Sequence, residues 1–244
     1  MTSFDCIRKL KFVWKRKDLG HGGTLDKFAT GLLPVLIGDG LKLVRFFLEN
    51  HPDLPTWWKT YTGTMELGRS TVTGDPEGET LETKPVGKLT REKIEAAMQT
   101  FVGVEYLQTP PAYSAKKIDG ERASEIARKG ETPDLKPVKV LIREFTLIDF
   151  GADFIRFSAT CSKGTYIRVL AQDLAEKLET VSFVKTLERT AVGNFTLNEA
   201  ITLEEVQTQN DTRAALTLEQ SVSFLPRFEL SEDEERLTKT GRVA

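Results

Sequence analysis

The sequence predicts an α+β fold built on a mixed, mainly antiparallel central sheet flanked by helices. Two patterns carry that prediction. Strand-like segments recur at 57–67, 138–140, 145–150, 154–161 and 181–189, rich in β-branched and aromatic residues. Long stretches with helical spacing are few and do not alternate strictly with those strands, which argues against a parallel α/β sheet. At 244 residues, 39% of them hydrophobic, the chain can bury one large core, or one large and one small. It holds no repeat and no apolar run near the roughly 20 residues a membrane span needs.

The elements follow in order. Thr2 or Ser3 caps a short helix with Phe4, Ile7, Lys11 and Trp14 at helical spacing. A turn dense in glycine comes next, Gly20-His21-Gly22-Gly23-Thr24-Leu25-Asp26-Lys27-Phe28-Ala29-Thr30-Gly31. The apolar run Leu32-Leu33-Pro34-Val35-Leu36-Ile37 reads as a buried strand broken by Gly38-Asp39-Gly40, and 41–48 reads as a helix. A loop over 51–55 leads into the strand 57–67, which sets Trp57, Lys59 and Tyr61 on one face and Trp58, Thr60 and Thr62 on the other. After the polar turn Gly74-Asp75-Pro76-Glu77-Gly78, Thr90 caps a helix whose inner face is Ile94, Ala97, Met98 and Phe101, ended by Gly103. Residues 107–137, bounded by Pro110-Pro111 and by Pro133 and Pro137, read as an excursion from the sheet with a short helix over 123–129. In 154–161 the residues Ile155, Phe157, Ala159 and Cys161 alternate toward a core. Lys163-Gly164-Thr165 turns into a helix with a buried stripe of Ile167, Leu170, Ala171, Leu174 and Leu178. Beyond 197, Thr202 caps a short helix and 213–225 holds another.

Charge leaves the partner open. The net charge of −2 does not advertise a nucleic-acid binder, yet Arg8, Lys9, Lys11, Lys15, Arg16 and Lys17 crowd the first 17 residues against Asp5 alone. Cys6 and Cys161 lie far apart and suggest small buried residues, not a disulfide framework or a zinc site. With no basic-then-apolar leader pattern, the cytoplasm is the expected compartment.

Several chemistries are excluded by missing motifs. There is no Gly-x-x-x-x-Gly-Lys-Ser/Thr loop and no Gly-x-Gly-x-x-Gly fingerprint. His21-Gly22-Gly23 is similar to the oxyanion loop of some esterases, but the Gly-x-Ser-x-Gly elbow that reading needs is absent. His21 and His51 are too far apart for a metal-binding helix pair. What remains is Asp26, a carboxylate in a glycine turn, charged at neutral pH and able to act as a nucleophile if a cation orients it. The best cation is Arg168, whose planar fork suits a carboxylate, although its spacing alone favours a surface arginine on an amphipathic helix. Tyr61 could present its ring to a ligand, although its position alone favours the sheet core.

Four blocks in one order carry a resemblance. They are Gly20-His21 … Gly23-Thr24-Leu25-Asp26 … Ala29-Thr30-Gly31; Lys59-x-Tyr61 … Leu67-Gly68 … Thr71-x-Thr73-Gly74-Asp75; Pro110-Pro111-Ala112-Tyr113-Ser114-Ala115-Lys116-Lys117; and Cys161-Ser162-Lys163-Gly164-Thr165-Tyr166-Ile167-Arg168. From residue 2 to about 195 the chain resembles the TruB-type bacterial tRNA pseudouridine synthases. That resemblance implies the pseudouridine-synthase fold with an RNA-binding insertion, and isomerisation of the T-loop uridine, position 55 of tRNA, after the base is flipped out, with no cofactor or metal. It implies that Asp26 is the nucleophile, that Tyr61 stacks on the base and takes part in proton abstraction, and that Arg168 pairs with Asp26. His21, Tyr166 and Leu187 would line the uridine pocket or fill the space of flipped bases. Lys116, Lys117 and Lys163 would contact RNA, the first two from the insertion. The expected partner is the T stem-loop of tRNA, with no membrane and the protein a monomer. The alternative on the same scaffold is a tRNA-binding or tRNA-folding protein with little catalysis. The expected organisation is a catalytic domain over 1–200 with its insertion at about 107–137. A helical segment over 201–244 would then begin a C-terminal RNA-binding region that is absent or truncated.

The departures from the family pattern carry expectations of their own. The family's first strand and its Lys-Pro-x-Gly block have no counterpart before Thr2-Ser3, which implies a lost sheet edge or a misassigned start. Gly22 stands for a usual threonine and Lys27-Phe28 for Pro-Leu, which should loosen the turn. Glu188 stands where an arginine is common and should weaken contact with the RNA backbone. The turn's glycines are expected to let backbone approach RNA closely.

Overall fold

A computed structural model describes residues 1–48, 53–209 and 215–241. Thr2 caps helix α1 (Ser3–Val13) in a reciprocal box: the Asp5 amide donates to Thr2 Oγ1 at 3.1 Å and the Thr2 amide to the Asp5 carboxylate at 2.9 Å. The helix buries Ser3, Ile7 and Leu10, whereas Phe4 is 65% exposed, so the inner stripe lies one position off the one its aromatic residues suggested. Strand β1 (Leu19–His21) pairs with β3 (Val35–Ile37), and the two-residue β2 (Thr30–Gly31) lies between them in sequence. The strand expected over 32–37 is thus confined to its second half. Pro34 has no N–H to give a ladder, and its carbonyl instead accepts from the Gly22 amide at 2.9 Å. The helix expected over 41–48 starts earlier and tighter, as a 3₁₀ turn (Gly38–Leu43) that runs into α2 (Val44–Leu48). The beginning of the loop expected over 51–55 lies outside the described residues, and the chain re-enters the sheet through a 3₁₀ turn at Pro55–Trp57.

Next come β4 (Trp58–Leu67), a hairpin of β5 (Arg69–Thr71) and β6 (Thr80–Thr83), α3 (Arg91–Gln99) and β7 (Glu105–Gln108). The excursion carries β8 (Lys117–Ile118), β9 (Glu121–Arg122) and α4 (Ala123–Arg128). The two strands expected at 138–140 and 145–150 are one, β10 (Val138–Phe150). Its pairing with β11 (Phe154–Ser162) slips between Ile142 and Glu144 and between Leu147 and Asp149, and such bulges hide a continuous strand by breaking its period of two. Helix α5 (Ile167–Lys177), β12 (Ser182–Val192), β13 (Phe195–Thr196) and α6 (Leu203–Gln209) follow.

The central sheet runs β13–β12–β4–β11–β10–β7 with every pairing antiparallel, and β2 adds to β12 in parallel, so the sheet is mixed. On its inner face Met65, Ile155, Phe157, Ala159, Cys161 and Val184 pack against Ile94 and Met98 of α3 and Leu170, Ala171 and Leu174 of α5. Each aliphatic or Phe side chain fully buried there is worth about 1.5–3 kcal/mol over an exposed one. Cys161 lies in this core, whereas Cys6 is only half-buried on α1. No helix among the described residues is long and apolar enough to cross a membrane.

The chain divides into two compact units, 1–214 and 215–244. In the second, Thr217 caps α7 (Leu218–Ser221) and Ser231 caps α8 (Glu232–Lys239), each in a capping box. The helix expected over 213–225 is reduced to α7, and the first residues of that span lie outside the described ones.

Candidate active site

The site is assembled from four segments that the sheet brings together. The loop over 22–32 carries Asp26, β4 carries Tyr61, the first turn of α5 carries Arg168, and the turn between β5 and β6 carries Asp75. Arg168 is 3% exposed, so the surface position suggested by its spacing is wrong. Residue 168 falls one step from the apolar stripe, and the loops covering the N-terminus of α5 close over it. Its guanidinium is bound on every side. Nε donates to Asp26 Oδ2 at 2.8 Å and Nη2 to Asp26 Oδ1 at 3.2 Å, a two-point grip that fixes the carboxylate plane. Nη1 donates to the Thr73 carbonyl at 2.6 Å and Nη2 to the Tyr113 carbonyl at 3.0 Å, and Asp75 Oδ2 stands 3.6 Å from Nη1. Asp75 is itself buried and held by the Thr73 hydroxyl at 2.6 Å and the Glu77 amide at 3.0 Å. Asp26 keeps 38% of its side chain exposed while Arg168 is closed off, so the carboxylate is the reachable member of the pair.

Tyr61 belongs to the core and to the site at once. It is 9% exposed, and burial is the main cause that pushes its hydroxyl up to about 12, with nearby Arg189 opposing that rise and Asp26 adding to it. Tyr166, the residue before α5, also lies within electrostatic reach of Asp26 and Arg168; burial, first, raises its hydroxyl pKa. His21, at the end of β1, accepts the Gly23 amide on Nδ1 at 3.3 Å. Burial, then the charges of Arg189 and Lys59, hold its imidazole below the ordinary value. Leu187 is buried on β12 opposite Gly63, two residues along β4 from Tyr61.

The three expected lysines are placed as follows. Lys116 and Lys117 sit on the excursion, where Lys116 Nζ reaches the Lys136 carbonyl at 3.5 Å and Lys117 pairs with Arg122 in a two-stranded ribbon. Lys163 is half-buried after β11, its amide donating to the Trp57 carbonyl at 2.8 Å and its charge felt by Lys59. Neither Lys116 nor Lys117 hydrogen-bonds or ion-pairs with Asp26 or Arg168 among the described residues.

The glycines serve the protein's own packing. A Cβ on Gly22 would lie 2.9 Å from Phe47 Cγ, and one on Gly31, at φ +101°, would lie 2.3 Å from the Arg189 carbonyl oxygen. Gly23, at φ +141°, leaves only 3.0 Å between such a Cβ and Lys59 Nζ. These glycines answer to neighbours inside the fold. The turn is also tied down despite its departures from the family pattern. Ser3 Oγ, at the start of α1, accepts the Leu25 amide at 2.9 Å, and Lys27 Nζ reaches Glu77 at 2.7 Å.

Asp75, Ser3, Arg189 and Lys59 were not singled out from sequence as site residues. Asp75 stood in a recognisable block but reads as an ordinary turn former. Arg189 shares the β12 face of Leu187, and that period of two was the available signal. Ser3 reads only as a cap, because its partner is 22 residues away.

Comparison with known proteins follows the same residues. The family model described as TruB family pseudouridylate synthase (N terminal domain) matches residues 11–167. The protein named tRNA pseudouridine synthase B of Clostridium tetani (strain Massachusetts / E88) is 36% identical over 241 residues, covering 99% of this chain and 81% of that one. Its namesake in Bacillus anthracis is 38% identical over 253 residues, covering 99% and 80%. Among solved structures, a Cbf5-Nop10-Gar1 complex matches with a TM-score of 0.67 at 23% identity, over 93% of this chain and 59% of that chain. An H/ACA RNP bound to a substrate RNA containing 2′-deoxyuridine matches with a TM-score of 0.64 at 21% identity, covering 93% and 58%. Both structural matches speak for the fold, and in each the chain spans under two thirds of the matched one.

Proposed function

The chain belongs to the TruB family of pseudouridylate synthases, and we propose that it isomerises uridine to pseudouridine in tRNA, at position 55 of the T loop. The observation that carries this reading is the two-point Arg168–Asp26 pair with Tyr61 and Tyr166 in electrostatic reach of the carboxylate. Flipping the uridine out of the folded loop costs a few kcal/mol, and stacking on the Tyr61 ring returns about 1–3 kcal/mol. The Asp26 carboxylate then attacks ribose C1′, or assists there, as the C1′–N1 bond breaks and its electron pair leaves with the uracil ring. The ring turns and C5 bonds to C1′. The C5 proton is removed, N1 is protonated, and Asp26 is released unchanged. No electrons or atoms are exchanged with a second molecule, so the rearrangement calls for no redox cofactor. Arg168 holds the carboxylate in one plane through the cycle, and His21 and Leu187 line the pocket. Lys116, Lys117 and Lys163 contact phosphates while stem-loop shape supplies most recognition.

The test is turnover of a T-arm RNA beside its binding. In Asp26→Asn, pseudouridine formation is lost while the dissociation constant stays close to that of the unsubstituted protein. Arg168→Ala costs turnover far more than affinity. If neither the unsubstituted protein nor Asp26→Asn forms pseudouridine and both bind equally, the protein is a tRNA-binding or folding factor instead. Equal losses of rate and affinity in Arg168→Ala would show that Arg168 holds phosphate.

A further inference from the structure

Arg189 is the largest side chain in the molecule with no solvent exposure among the described residues, and none of the described carboxylates pairs with it. A buried guanidinium without a counter-charge needs strong acceptors on all its donors. One loop supplies an acceptor to each of its three nitrogens. Nε donates to the Leu32 carbonyl at 2.8 Å, Nη1 to the Thr24 carbonyl at 3.3 Å and Nη2 to the Gly23 carbonyl at 3.2 Å. Two of these acceptors precede Asp26 and one follows it, so the fork closes the loop on both sides of the carboxylate. The backbone repeats the grip, since the Leu32 amide donates to the Arg189 carbonyl at 2.7 Å and Gly31 lies against the same peptide. Arg189 is also the residue directly opposite Tyr61 in the β4–β12 pairing, with its charge beside the Tyr61 hydroxyl.

We infer that Arg189 is a positioning residue for both reacting side chains: its guanidinium locks the 23–32 loop that presents Asp26, and its place across the strand pair fixes Tyr61 relative to that loop. The inference rests on the proposed roles of Asp26 and Tyr61. Catalysis by oriented groups is steep in distance, and a misplacement of about 1 Å costs on the order of 100-fold in rate.

Arg189→Lys keeps the charge and loses the fork. Single-turnover rate, RNA affinity and amide hydrogen exchange are measured on it and on the unsubstituted protein. The expected result is a rate lower by about 100-fold, an affinity within about threefold (well under 1 kcal/mol), and exchange of the 22–32 peptide faster by about tenfold with α5 unchanged. A rate close to that of the unsubstituted protein overturns the inference. So does a loss of affinity as large as the loss of rate. If Arg189→Lys does not fold, the unsubstituted protein decides: the 22–32 peptide must exchange as slowly as β12, and exchange at the rate of an open loop overturns the inference. Asp26→Asn, run alongside, separates the two levels. If it turns over normally, the reading of the site fails. If it is inactive while Arg189→Lys is fast, only the role of Arg189 fails.

Discussion

Lys59 shows how far a single residue can depart from what its type suggests. It is 8% exposed, packed under Gly23 and beside Arg189, and burial, first, then the Arg189 charge, lower its amine from 10.5 to about 8. Below about pH 8 both folded and unfolded chains carry the proton, and the cost of burying the charge is present in full. Between about 8 and 10.5 the unfolded chain keeps a proton that the folded one has released, so stability contributed by this group rises with pH. Lys59→Met, of similar volume, is therefore expected to stabilise the protein at pH 7 by on the order of 2–3 kcal/mol, a gain that shrinks toward pH 10.5. Urea unfolding across that range checks it, and a variant less stable than the parent at pH 7 would sink the electrostatic account. From sequence, Lys59 shared a strand face with Trp57 and Tyr61 and stood in one of the four blocks, but nothing local marked it as buried. Its loss of solvent comes from loops and strands far away in the chain.

At the scale of elements, the helices were the most legible part. Thr90 and the stripe of Ile94, Met98 and Phe101 mark α3 locally, because capping and a 3.6-residue period are short-range properties. Strand β10 was not, because its two bulges break the period, and the β5–β6 hairpin was too short to show one. The glycine loop was visible as a turn, while the reason for its glycines lay in β12 and α2. Gly31→Ala would set a methyl 2.3 Å from the Arg189 carbonyl oxygen at an unfavourable φ, and a loss of about 2 kcal/mol or more is expected. Gly87→Ala meets no atom within 4 Å and is expected to be neutral or stabilising by up to about 1 kcal/mol. Denaturant midpoints of the two variants compare them directly, and equal midpoints would show that the loop does not press on β12.

For the molecule as a whole, a net charge of −2 gives no overall pull toward RNA, so attraction must come from local groups. Lys116 and Lys117 stand on the excursion and are the lysines proposed above to meet phosphates. Replacing both with alanine is expected to flatten the dependence of log affinity on log salt by about 1.5 while leaving the rate at saturating RNA unchanged. Filter binding of a T-arm RNA over a salt series measures the slope. A slope equal to that of the parent would remove these lysines from the RNA contact surface.

The α+β class, helices α3 and α5, the inward face of β11, and the ordered blocks around Asp26, Tyr61 and Arg168 were determined by the sequence itself. Each depends on local periodicity, capping or residue order, and none needs a distant partner. The tertiary structure alone decided that Arg168 is buried behind the Asp26 it was expected to pair with, that Arg189 braces the loop from the opposite strand, and that Asp75 closes the far side. Those outcomes turn on desolvation and on which strands pair. A charge is stabilised or penalised by the neighbours that folding assembles around it, and these neighbours are not its neighbours in the chain.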